Sequence, residues 1–221
     1  MRKAGHGGIP MDNKKRVAEI MKRLKKEYAG TPQTALVFKT PFELLVATIM
    51  SAQTTDVLVN KVTGELFKKY RSVDDFAGMT PERLAQDIRS VNFFNNKARN
   101  ICRTAVMIKE RFNGFVPRTM EELVTLPGVA RKTANIVLSC AFGINEGIAV
   151  DTHVKRLAFR LGLTKFEEPV KIENDLLAIT PRKEWSDLSH LLIFHGRAVC
   201  QARKMMHEKC VLNDICPSNR L

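Results

Sequence analysis

A chain of 221 residues can bury a sizeable core as one large domain or two small ones without outside support. Its 36 lysines and arginines against 23 acids give a formal charge of +13, spread along the chain, which fits a polyanionic partner as well as a protein merely soluble and basic. No apolar run approaches the roughly 18 residues that span a bilayer and no signal-peptide core opens the chain, so the sequence predicts a cytoplasmic protein with no membrane partner.

Residues 1–10 are glycine-rich and unpatterned, Met11 is an alternative start, and a loose terminus is expected there. From Asn13 the spacing of Val17, Ile20, Met21 and Leu24 predicts an amphipathic helix ending before Gly30 and Pro32. Thr40 to Glu43 reads as a capping box with proline in the first turn, opening a buried helix over Leu44 to Met50. The polar segment Ser51 to Asp56 is a turn, after which Val57 to Tyr70 is helical. Two short helices follow, capped by Ser72 and Thr80. Val91 to Asn96 is a break with two adjacent phenylalanines, then Lys97 to Phe112 is helical and Asn113-Gly114 closes it.

A second capping box, Thr119 to Glu122, opens a helix expected to stop at Pro127-Gly128, and the next runs from Arg131 to Gly143. Further helices are predicted from Asp151 to Gly162, over Val170 to Ile179, and over Trp185 to Arg203. No period-two run suits a sheet, so the fold class is all-α, about ten helices with short links. Cys102 and Cys140 fall inside apolar helical patterns and read as small buried hydrophobes. Cys200, Cys210 and Cys216 crowd the C-terminal end, which in a reducing compartment suggests metal ligation more than disulfides.

The segment Leu126 to His153 concentrates the chemistry. Two helices joined by a short glycine turn form a helix-hairpin-helix, whose second helix offers backbone N–H groups and a positive dipole end to an anion such as a DNA phosphate. An ordinary hairpin with Gly128 as a C-cap gives the same pattern. Lys132 sits in the first turn of the second helix, where partial burial would leave some neutral amine as a nucleophile, although a solvated or phosphate-contacting lysine suits the place too. Asp151, nineteen positions on, is a natural N-cap and also a carboxylate able to stabilise a cationic sugar and relay protons.

LPGVARKTAN, AVDTH, SAQTTD, NNKARNI and HGRAVC follow in an order and spacing that resemble the endonuclease III family of DNA glycosylases, within the helix-hairpin-helix superfamily. The resemblance covers roughly Lys14 to Cys216. It implies two helical domains with a DNA cleft between them: a six-helix barrel over 34–144, and a second domain from 1–33 and 145–221 that carries a metal-cluster loop at 200–216. The activity implied is that of a bifunctional glycosylase and abasic-site lyase, acting as a monomer on duplex DNA with oxidised pyrimidines or abasic sites. The flipped nucleotide would be attacked by Lys132, and Asp151 would assist the departing base. Gln53 would fill the gap left in the stack and Phe93 would act as a wedge, against bland readings of capping and packing. Gly128, Ala130, Arg131 and Thr133 would meet DNA at the hairpin.

Two positions depart from the family pattern. Ala130 stands where a second hairpin glycine is usual. The cluster ligands are four cysteines in the family, while Cys200, His207, Cys210 and Cys216 hold that spacing here. The resemblance implies a [4Fe-4S] cluster on these residues, with structural zinc as the alternative and an empty site as the bland reading. A mismatch enzyme for uracil or thymine, and a non-catalytic DNA-binding module, are the competing functions.

Overall fold

A computed structural model describes residues 12–219. The loose terminus and the alternative start at Met11 lie outside the described residues. Among the described residues the chain is helical throughout, with no strand and one isolated bridge between Cys200 and Met205. No helix there is long and apolar enough to cross a membrane. Eleven α-helices occur, close to the ten or so expected. The contacts divide the chain into two compact units, a terminal unit of Met1–Gln33 with Gly147–Leu221 and a central unit of Thr34–Glu146.

The central unit holds α2 (Pro41–Ser51), α3 (Asp56–Lys69), α4 (Val73–Ala77), α5 (Pro81–Asp87), α6 (Phe94–Arg111), α7 (Met120–Leu123) and α8 (Arg131–Phe142). Helix α2 is its axis. Every residue from Phe42 to Met50 except Glu43 is buried, and α3, α6 and α8 pack around it. Such an all-round apolar helix is stable only inside a core. Phe76 is buried between Phe42 and Tyr70 in edge-on contacts at 5.3 and 5.8 Å, each worth about 0.5–1.5 kcal/mol beyond its area. Cys102 is buried as expected, and Cys140 is half-buried.

The predicted capping boxes are half realised. Thr40 and Thr119 accept the N–H of Glu43 and Glu122, but the Glu43 carboxylate takes the Lys39 N–H and the Glu122 carboxylate takes the Thr119 hydroxyl. Ser72 and Asp75 make the full reciprocal box. Helix α6 begins at Phe94, three residues before the expected start, because Phe93 adopts φ 57° and turns the chain directly into it. Helix α7 is a single turn ending at Leu123 rather than at Pro127. Tight bonds from the Thr125 N–H to the Glu122 carbonyl and from the Leu126 N–H to the Leu123 carbonyl close it early.

The terminal unit packs α1 (Asn13–Glu27), α9 (Thr152–Arg160), α10 (Pro169–Ile179) and α11 (Trp185–Ala198) around Ile20, Leu24, Leu157, Ile172, Leu176, Leu188 and Leu192. Val17, Ile20, Met21 and Leu24 form the buried stripe of α1, as their spacing predicts. Helix α11 stops at Ala198, five residues short of the predicted Arg203. Its exit is captured by two arginines of α9: Arg156 donates to the carbonyls of Gly196 and Cys200, and Arg160 to those of Cys200, Gln201 and Ala202. Carbonyls drawn outward to guanidinium groups cannot continue a helical ladder.

Candidate functional site

In the central unit the turn from Thr125 to Ala130 is pinned on both sides. Leu126 and Val129 are buried, and the Thr104 hydroxyl of α6 donates to the Pro127 carbonyl at 3.0 Å. Gly128 is exposed with φ 78°, and a Cβ there would lie 2.8 Å from Asn100 Nδ2. Only glycine satisfies both demands. Ala130 is the N-cap of α8 at φ −84°, a conformation in which its methyl costs nothing, so the missing second glycine does not distort the hairpin. No side chain caps α8, and the leading N–H groups of Arg131, Lys132 and Thr133 have no helical acceptor. Arg131 and Lys132 are exposed and Thr133 is half-buried. Of the alternatives open for Lys132, the exposed one is found; the residue stands at the surface, in the first turn of a helix whose N-terminal dipole end is positive.

Gln53 and Phe93 are exposed, Phe93 at 64 %, and both adopt left-handed backbone at φ 56° and 57°. Non-glycine residues adopt this conformation only when neighbours hold them. Simple core packing is thereby excluded for Phe93, and Gln53 lies beyond the C-cap of α2 rather than capping it.

In the terminal unit Asp151 is half-buried and is the N-cap of α9. Its Oδ1 accepts both the His153 and Val154 N–H groups at 2.8 Å, while Oδ2 takes no part in the cap. The structural role expected of an aspartate here is thus present, carried by one oxygen.

Cys200, His207, Cys210 and Cys216 all border one small, solvent-open concavity. Arg160 donates to Cys200 Sγ at 3.2 Å and its carbonyl accepts from Cys216 Sγ at 3.6 Å. His195 Nε2 lies 3.3 Å from Cys210 Sγ, and the Tyr28 hydroxyl lies 3.0 Å from its other ring nitrogen. Burial pushes His195 down to about 4, so at neutral pH it is uncharged. Among the described residues, the buried Nε2 of His207 has no hydrogen-bond partner. No three His, Cys, Asp or Glu side chains of the described residues converge at the distance of a single metal ion. Arg203, Lys204 and Lys209 beside these residues are exposed.

Comparison with known proteins places these features in a family. Residues 46–182 match the family described as HhH-GPD superfamily base excision DNA repair protein. Endonuclease III of Synechocystis sp. is 52 % identical over 205 residues, covering 93 % of each chain. The chain belongs to the endonuclease III family. Endonuclease III of Bacillus subtilis is 47 % identical over 182 residues, 82 % of this chain and 83 % of the relative. A solved structure of a trapped endonuclease III–DNA covalent intermediate, an estranged-adenine complex, superposes with a TM-score of 0.87 at 43 % identity, over 95 % of this chain and 98 % of that one.

Three residues given no role by sequence reasoning stand out in this chain. Arg160 and His195 touch the sulfur atoms of Cys200 and Cys210. Lys97 is 5 % exposed and donates into the turn that carries Gln53. A signal for Lys97 was available: it falls on the stripe of Ala98, Ile101 and Ala105, where a lysine must find acceptors or pay for burial. His195 carries no such mark, since histidine is common on half-apolar faces.

Proposed function

We propose that Lys132 is the nucleophile and Asp151 the assisting carboxylate of this enzyme. The protein is a bifunctional DNA glycosylase and abasic-site lyase that removes oxidised pyrimidines from duplex DNA in base excision repair. The observation that carries the lysine assignment is the likeness at 43 % identity to a structure trapped as a covalent intermediate with DNA, joined to a lysine exposed at the anion-binding end of α8. A covalent bond to DNA needs a nucleophile beside the phosphate anchor, and the exposure of Lys132 in the first turn of α8 supports that role.

The chemistry balances as follows. The amine nitrogen of Lys132 attacks the sugar C1′ as the C1′–base bond breaks, and the electron pair of that bond leaves with the base. Asp151 Oδ2 is not engaged in the cap; a carboxylate stabilises the positive charge on the sugar and accepts the proton shed by nitrogen. Opening of the sugar ring gives a Schiff base. Removal of a C2′ proton then expels the 3′ phosphate, which cuts the strand, and water releases the enzyme. Gly128, Ala130, Arg131 and Thr133 anchor the backbone, Gln53 enters the vacated stack and Phe93 wedges beside it. The enzyme would work at the nucleoid, where its substrate is.

We infer also that Cys200, His207, Cys210 and Cys216 hold a [4Fe-4S] cluster. Four donors bordering one concavity, with the buried His207 Nε2 unpartnered among the described residues, support that reading. A bound cluster supplies a rigid staple for the C-terminal loop. Arg160 and His195 supply hydrogen bonds to its sulfur ligands from α9 and α11.

The test is single-turnover reaction with a duplex bearing thymine glycol or an abasic site, followed by borohydride reduction. The wild type is expected to give a covalent protein–DNA adduct that Lys132→Ala abolishes. An undiminished adduct or unchanged strand cleavage in that variant refutes the assignment of Lys132.

A further inference from the structure

Gln53 and Phe93 are held from a single point. Lys97 lies on the first turns of α6, with its stem buried and its ammonium inside the central unit. Its three protons go to three neutral oxygens: the Met50 carbonyl at 2.7 Å, the Ala52 carbonyl at 2.6 Å and the Thr54 hydroxyl at 3.1 Å. These acceptors bracket Gln53. Two are carbonyls at the C-terminal end of α2, where the helix leaves them without N–H partners and where its dipole is negative, which offsets part of the burial that pushes the Lys97 ammonium down from its ordinary value. The backbone N–H of the same lysine bonds the Phe93 carbonyl at 3.1 Å, fixing the residue that turns into α6. Asn92, next to Phe93, completes the bracket by donating from Nδ2 to the Gln53 carbonyl.

Gln53 and Phe93 are two of three non-glycine residues with positive φ among the described residues, and their side chains are exposed. We propose that Lys97 is a positioning residue that locks Gln53 and Phe93 into one rigid implement, so that gap filling and wedging occur together and not as independent events. The proposal rests on the reading that these two side chains enter DNA. Lys97 itself touches no substrate. A polar side chain inserted into a duplex must arrive at a set depth and angle, and a turn left to its own preferences would relax from left-handed backbone. Lys97 removes that freedom before DNA arrives.

Lys97→Met keeps the stem and removes the three donors. The assay is single-turnover borohydride trapping on an aldehydic abasic site, presented once in a duplex and once in a single-stranded oligonucleotide, which has no gap to fill. The expected result is a loss of about 10- to 100-fold on the duplex with the single-strand rate close to wild type. Adding Gln53→Ala to Lys97→Met should cost nothing further, because both remove the same event. Equal loss on both substrates, or losses that multiply in the double variant, overturns the proposal in favour of a merely structural lysine. Should Lys97→Met fail to melt cooperatively, Thr54→Val removes one of the acceptors with little change of shape and carries the same comparison. Gln53→Ala and Phe93→Ala alone report on the underlying reading. If neither slows the duplex reaction, that reading fails; if both do while Lys97→Met does not, only the role of Lys97 fails.

Discussion

Gly128 is constrained twice, by its φ of 78° and by Asn100 lying where a Cβ would be. Gly128→Ala is therefore expected to destabilise the central unit by about 1–3 kcal/mol, measured in denaturant, and to weaken DNA binding with it. Retained stability would mean that Asn100 moves aside freely. At Asp151 the cap and the proposed chemistry would share one side chain. Asp151→Asn keeps an oxygen for the His153 and Val154 N–H groups, so folding should be unchanged while single-turnover base release slows by about 10²- to 10⁴-fold with DNA binding retained. Lost binding with normal chemistry would reduce the residue to a cap. Lys132 and Asp151 could be singled out as candidates because a lysine and an aspartate sit at fixed places around a glycine turn. The exposure of Lys132 was not legible, since an amphipathic pattern does not say how near the end of a helix neighbouring chain will come.

Among the elements, long helices were legible and their ends were not. The stripe of α1 follows from spacing alone, whereas α11 stops at Ala198 because two arginines of α9, distant in sequence, draw its carbonyls out. Helix α7 shrinks to one turn because a proline and a buried Leu126 dictate the path beyond it. The loop that follows α11 gives its own prediction. Anaerobically purified protein should carry about four irons per chain with a broad visible band, and stripping the metal should raise amide exchange in 199–218 while leaving the core of the central unit protected. Stoichiometric zinc, or a colourless protein with equal protection, would remove the cluster from this reading. His207→Cys should keep the colour, since it restores a thiolate at the same spacing.

For the molecule as a whole, the charge of +13 matters in solution more than in the fold. Affinity for undamaged duplex should fall by roughly 10³-fold or more between 50 and 200 mM salt, because releasing condensed counterions into a more concentrated solution gains less entropy, a slope measurable by fluorescence anisotropy. A shallow slope would mean that the exposed cations, Lys204 and Lys209 among them, do not meet phosphate. The all-helical class was legible from the absence of period-two runs. The hydrogen bonds of the Lys97 side chain were not, because they join residues 43 to 47 positions apart, to two backbone carbonyls and one hydroxyl, and leave no periodic trace.

On the ribosome α1 emerges first and finishes last. Its apolar stripe packs on α10 and α11, which are synthesised only after the whole central unit. By then the central unit has every helix of its own core and can close. At ordinary rates of translation the stripe of Val17, Ile20, Met21 and Leu24 stays uncovered for on the order of ten seconds. The nascent chain thus trails a finished domain and leads with an unsheltered amphipathic helix, the kind of segment that holdase chaperones shield until its partners arrive.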